Sequence, residues 1–149
     1  MEDILEISRV DAGRLEISPK RTNLTELVDM VIANSQKRAQ ERGLSLGHRA
    51  PSPDSEVSAA PQSLVDVQRM TQVLDNLINN AIRYTSEGGS ILVSTAQTEA
   101  KGRRWATITV ADTGMGIPHD ELPHVFERFF RGEKPRTLQI SGTGLGLAI

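Results

Sequence analysis

The chain contains no cysteine, so neither a disulfide nor a thiolate metal site can hold it together. It also lacks a strong charge of either sign. Its 17 Lys and Arg against 19 Asp and Glu leave a formal −2, with a pI near 5.9, which gives no general attraction to nucleic acid or to an anionic membrane. No window approaches the roughly 18 uninterrupted apolar residues of a membrane span, and Met1-Glu2-Asp3 is a poor start for a signal peptide. The expectation is a cytoplasmic segment without membrane contact of its own, with any anchor in a longer parent left open. No internal repeat is visible. What is present suits one compact globular domain: 149 residues, 38% hydrophobic, with 12 glycines.

Local signals divide the chain. Asn23, with Glu26 three residues on, reads as a helix cap, and Leu24, Leu27, Val28, Val31 and Ile32 form an apolar stripe that runs towards Gly43. Leu44 to His48 reads as a strand. Ala50 to Ser63, with Pro51, Pro53 and Pro61, reads as a loop holding a short strand around Glu56 to Ala59. A helix is expected over Leu64 to Tyr84. Glu87 to Ser90 is a turn into a strand at Ile91 to Ala96, and the polar run Gln97 to Arg104 links it to a strand that ends at Asp112. Pro118 to Ser141 is rich in Pro, Arg and Lys and reads as a mobile lid.

Three stretches carry chemistry. In the first, Met70, Val73, Leu74, Leu77, Ile78, Ala81 and Ile82 line one face of a 3.6-residue period, while Gln72, Asn76, Asn80 and Arg83 fall on a polar stripe roughly opposite. Asparagine is a mediocre helix former, so two on one stripe with Arg83 suggest a shared ligand. An amide oxygen can enter a Mg²⁺ shell without adding charge, and Arg83 can fork onto phosphate oxygens. A solvated helix face is the alternative.

In the second stretch, the alternating run from Trp105 to Ala111 delivers Asp112 to a strand end, with Gly114, Gly116, Ile117 and Pro118 beyond. A carboxylate there can accept from the exocyclic amine of a planar heterocycle, and the missing glycine side chains let the backbone approach. An ordinary Asp-x-Gly turn is the alternative. The third stretch, Ser141 to Ile149, is a glycine loop opening into a helix start, whose amides could surround phosphate oxygens. No Gly-Lys-Ser/Thr follows, and Leu147 breaks the dinucleotide fingerprint. Alone, this loop decides nothing.

Taken in order, the motifs resemble the GHKL ATP-binding fold shared by sensor histidine kinases, DNA gyrase B, Hsp90 and MutL, and the histidine kinase catalytic domain most of all. Gln72-Val-Leu-Asp-Asn76-Leu-Ile-Asn-Asn80-Ala-Ile-Arg-Tyr84-Thr looks like its N box and Asp112-Thr-Gly-Met-Gly116 like its G1 box. Glu127-Arg-Phe129-Phe130-Arg131 resembles the F box and Gly142-Thr-Gly144-Leu-Gly146-Leu the G2 box. The resemblance covers most of residues 23 to 149. It implies an α+β fold: a two-layer α/β sandwich of GHKL (Bergerat) type, a mixed sheet with helices on one face. Relatives continue through a terminal strand pair, whereas this chain stops at Ile149, so a sheet edge is expected to lack its C-terminal strands and stability alone is in question. The implied division is 1-20, a remnant of the second dimerisation helix and linker, then 21-149, the ATP-binding catalytic domain.

By similarity the cofactors are ATP and Mg²⁺. Asn80 would ligate the metal, Asn76 would support the triphosphate, and Arg83 would stand at a basic phosphate contact; these three carry the catalytic assignment. Tyr84 would pack against adenine or ribose, Asp112 would bind the adenine amine, and Gly114, Gly116 and Ile117 would border the base. Gly142, Thr143, Gly144, Leu145 and Gly146 would shape the lid, anchored by Phe129 and Phe130, which can be core aromatics at the same time. Gyrase, Hsp90 and MutL carry a glutamate base where this chain has Asn76. An amide cannot take a proton from water, so autonomous hydrolysis is disfavoured and transfer to a protein nucleophile favoured.

That nucleophile is not in the chain. Ile4, Leu5, Ser8, Val10 and Leu15 resemble the end of a dimerisation helix, but His48, His119 and His124 sit in no acceptor box and read as surface or lid residues. The implied partners are ATP, a histidine-containing dimerisation domain in cis or trans, and a response regulator downstream, with no nucleic acid. The implied activity is that of the phosphoryl-donating domain of a two-component histidine kinase. A regulatory ATP-binding module without productive transfer and a GHKL ATPase are the alternatives.

Overall fold

The computed structural model describes residues 16–50, 61–133 and 143–148. Ser18–Gly114 forms one compact unit, and the described residues from Met115 onward belong to a second. The first unit runs β1 (Lys20–Asn23), α1 (Leu24–Glu41), β2 (Ser45–Arg49), β3 (Gln62–Val65), α2 (Val67–Tyr84), β4 (Ser90–Ala100) and β5 (Arg103–Asp112). Two sheets result. β1 and β3 pair antiparallel, and β2-β4-β5 is a mixed sheet in which β2 runs parallel and β5 antiparallel to β4.

Both ends of α1 follow from sequence. The Asn23 side-chain oxygen accepts from the Thr25 amide at 3.0 Å, and its nitrogen donates to Glu26 Oε1 at 2.8 Å, so two residues satisfy the first turn and each other. At the far end Gly43 takes φ +66. The Gly43 amide then reaches Gln40 O at 2.9 Å and the Leu44 amide Ala39 O at 2.9 Å, which closes the helix with a left-handed residue. The core lies between helices and sheet: Leu27, Val28 and Val31 of α1, Leu74, Ile78 and Ala81 of α2, and Leu46, Ile91 and Val93 of the mixed sheet are all buried. A sandwich of helices on a mixed sheet is the fold class expected.

Three expectations need correction. The strands β1 and β3 were not anticipated, and the helix starts at Val67 rather than Leu64. Four-residue strands are too short to show an alternation, and Leu64, 72% exposed, gives β3 no inward apolar signal. The run Gln97 to Arg104 is not a linker. It is the outer end of a hairpin whose ladder extends from Ile91↔Asp112 to Ala100↔Arg103, turned at Lys101 (φ 53) and Gly102 (φ 68). Two successive positive φ values match the right-handed twist of a two-residue hairpin loop. The hairpin outruns the core there, and Thr98, Glu99, Arg103 and Arg104 are exposed.

The third correction is His48, which is not a surface residue. Its side chain is 9% exposed, with Nδ1 2.7 Å from Asp29 Oδ1 and Nε2 3.3 Å from Thr95 Oγ1, joining α1, β2 and β4. The expected strand at Glu56 to Ala59 and the helix end before residue 16 lie outside the described residues. The expected division at 20/21 falls within β1.

Candidate nucleotide site

Helix α2 begins at Asp66, whose Oδ1 accepts from the Arg69 amide at 3.1 Å while Oδ2 accepts from the Ser18 amide at 2.8 Å. The Ser18 bond, then that from Arg69, hold the Asp66 carboxyl below its usual range, with the Gln68 amide and the Lys20 charge adding to them. The ionised form is therefore the stabilising one. Its contribution is in place above the ordinary carboxylate range and is lost as pH falls through the lowered value.

The apolar face of α2 buries Leu74, Ile78, Ala81 and Ile82, which turns the opposite stripe outward. Arg69 Nη1 donates to Gln72 Oε1 at 3.2 Å, and Asn76, Asn80, Arg83 and Tyr84 follow along the stripe, all half-buried. Among the described residues Asn80 and Arg83 have no side-chain partner. An amide and a guanidinium left side by side without partners on a packed helix are donors and acceptors available to a ligand.

Strand β5 brings the second motif to the same helix. Asp112 is exposed, and its Oδ1 accepts from the Gly114 amide at 2.8 Å, a local turn that leaves the other carboxylate oxygen without a partner among the described residues. A Cβ built on Gly114 would stand 2.6 Å from Tyr84 O and 2.6 Å from Asp112 Oδ1. Only glycine lets this turn lie on the last residue of α2. Thr113, which the sequence reading passed over, locks the strand end: its amide donates to Ser90 O at 3.1 Å and its Oγ1 accepts from the Ser90 amide at 3.0 Å. Asp66 was likewise passed over, although Asp before an apolar-periodic run is a helix-start signal. The unit thus holds an amide stripe with Arg83 at its far end and an exposed carboxylate beside the helix end.

In the second unit Gly116 has φ +67, and Ile117 is 52% exposed. The segment after Pro118 is less irregular than expected. A 3₁₀ turn at Leu122–His124 is flanked by backbone bonds from Glu121 to Pro118, Glu127 to His124 and Phe130 to Glu127. Phe129 is 66% exposed with φ 62, so its ring is no core aromatic. Its backbone makes the contact: the Phe129 amide donates to Gly144 O at 2.8 Å, and a Cβ on Gly144, at φ +72, would stand 2.7 Å from both Phe129 C and Phe130 O. The F-box and G2-box segments therefore meet main chain to main chain. Thr143 is exposed, Leu145 buried and Gly146 half-buried; Gly142 and the middle of the expected lid lie outside the described residues.

The profile of a known family, described as "Histidine kinase-, DNA gyrase B-, and HSP90-like ATPase", matches residues 65–149, more than half of the chain. The chain belongs to this family. Among curated proteins it is 32% identical over its full length to the sensor histidine kinase WalK of Bacillus subtilis, covering 23% of that protein. It is 38% identical over 141 residues, 93% of the chain, to the sensor histidine kinase Hik2 of Synechocystis, covering 31% of it. It therefore spans less than a third of these relatives. Among solved structures, full-length ShkA in complex with AMPPNP matches 98% of the chain and 28% of its own at 31% identity, with a TM-score of 0.78. The catalytic domain of the histidine kinase ThkA matches 90% of the chain and 76% of its own at 27% identity, with a TM-score of 0.68. No described helix of this family member is long and apolar enough to cross a membrane.

Proposed function

We propose that this domain binds Mg-ATP and donates its γ-phosphate to a histidine on a separate dimerisation domain, from which a response regulator would be charged. The observation that carries the reading is the close approach of Gly114 to Tyr84, which sets the exposed Asp112 carboxylate beside the helix that bears Asn76, Asn80 and Arg83. Asp112 would accept from the adenine amine, with Tyr84 beside the base or ribose and Gly116 and Ile117 assigned to its border by motif. Arg83 would neutralise phosphate charge, and Asn76 would donate to the triphosphate. The amides of Thr143, Gly144 and Gly146 would serve the phosphates by motif.

Among the described residues no group of three or more His, Cys, Asp or Glu could hold a metal. Magnesium would then be carried largely by the triphosphate, with the Asn80 amide oxygen as a protein ligand. When bound, it supplies charge neutralisation on the phosphates. The chain's own part is to position the nucleotide and shield its charge, which is most of what phosphoryl transfer needs. Asn76 offers no base for water, which sets a hydrolytic ATPase behind the kinase.

Two outcomes test this. Asp112→Asn should reduce the preference for ATP over GTP by about tenfold, ~1.4 kcal/mol, because an amide presents a donor to the adenine amine. Competition binding checks it, and a parent protein that binds both nucleotides equally would remove its basis. The chain alone should bind ATP yet not label itself, whereas an added acceptor domain should acquire acid-labile phosphate. Label on His48, His119 or His124 would overturn donation in trans. Binding without transfer to a cognate acceptor would favour a regulatory module instead.

A further inference from the structure

Asp66 makes two bonds where a helix cap needs one. Oδ1 serves α2 through the Arg69 amide, and Oδ2 reaches across 48 residues of sequence to the Ser18 amide. Ser18 is the first residue of the unit that carries the stripe. The β1–β3 ladder ends at Lys20↔Val65, and Pro19 has no N–H to offer. Ser18 is thus the next donor along the incoming chain, and a side-chain oxygen at the head of α2 takes the place that a strand carbonyl would fill.

We infer that Asp66 is a positioning residue for the phosphoryl transfer proposed above: one carboxylate straps the incoming chain at Ser18 to the N-terminus of the helix bearing Asn76, Asn80 and Arg83. The strap makes the start of α2 and the point of chain arrival one rigid piece. A displacement of the chain at Ser18 then reaches the helix directly instead of being absorbed by a free segment before β1. The lowered pKa of Asp66, to which the Ser18 bond is the largest contributor, agrees with a bond made to the ionised carboxylate. The role rests on the kinase reading; the strap itself does not.

Asparagine separates strap from cap. It is as good an N-cap as aspartate, and its oxygen can keep the Arg69 bond, but its nitrogen then meets the Ser18 amide donor to donor. Ser18→Pro removes the same bond from the other side. In the 149-residue chain, D66N should speed amide exchange over residues 18–23 while exchange at the start of α2 and the Kd for Mg-ATP stay as in the parent. With an acceptor domain joined ahead of the chain, D66N should lower the rate of phosphoryl transfer roughly tenfold at unchanged KM for ATP. S18P should do the same, and the double variant should lose no more than either alone.

Unchanged exchange over residues 18–23 in D66N would overturn the strap, and an unchanged transfer rate, or fully additive losses, would overturn its role. D66A, which also loses the cap, gives the comparison: its melting temperature should fall further than that of D66N. If the parent chain bound no ATP, the kinase reading would fail, and the exchange measurement would still decide the strap.

Discussion

Asn80→Ala is expected to weaken Mg-ATP binding about 100-fold, ~2.7 kcal/mol, with the fold intact. Asn80 is half-buried on the outward stripe of α2 and has no side-chain partner among the described residues, so removing its amide strands nothing in the protein. Alanine is the better helix former by up to about 0.7 kcal/mol, and the melting temperature should therefore hold or rise slightly. The loss should be confined to the metal-bound nucleotide. Affinity for ATP measured in excess chelator should change little, because the amide oxygen is assigned to the ion. Calorimetry showing the variant binding Mg-ATP like its parent would remove Asn80 from the site. Asn80→Asp should also bind less tightly, since it sets a fixed negative charge beside the triphosphate.

Gly114→Ala should cost both stability and binding. The new Cβ would stand 2.6 Å from Tyr84 O and from Asp112 Oδ1, and since Tyr84 O is backbone at a helix end, it cannot swing away as a flexible side chain could. Overpacking of this kind costs about 1–3 kcal/mol, read as a drop of several degrees in melting temperature. Because the displaced turn carries Asp112, ATP affinity should fall with it. Gly47→Ala is the matched control. A Cβ there would meet only Leu92 Cδ1, at 4.0 Å, so that variant should melt and bind like the parent. Equal behaviour of the two variants would show that the approach of β5 to α2 is not what holds Asp112 in place.

The same contrast explains what could be read in advance. The cap at Asn23, the stop at Gly43 and most of the apolar face of α2 depend on neighbours three or four residues apart and were legible, although Val73, expected on that face, is 44% exposed. So was the placement of the stripe, since Asn76, Asn80 and Arg83 share a helix face for reasons of period alone. The β1–β3 pair and the outer half of the β4–β5 hairpin were not. In the first, each strand is ordered by a partner about 40 residues away; in the second, polar residues are held by a two-residue turn beyond the core. His48 was misread for a related reason: Asp29 and Thr95, the residues that take it inward, are far from it in sequence.

By itself the sequence determined which side chains share the polar stripe of α2 and that positions 76 and 80 carry amides rather than carboxylates, because residue type and helical period settle donor, acceptor and charge. The family followed from the order of four motifs. Only the tertiary structure decided that Asp112 stands beside the end of α2, because that needs a strand to finish against a helix closely enough to exclude a Cβ at Gly114. It also gave Asp66 its second bond. A cap can be read from the three residues after it, whereas a bond to an amide 48 residues away exists only once β1 and β3 have paired.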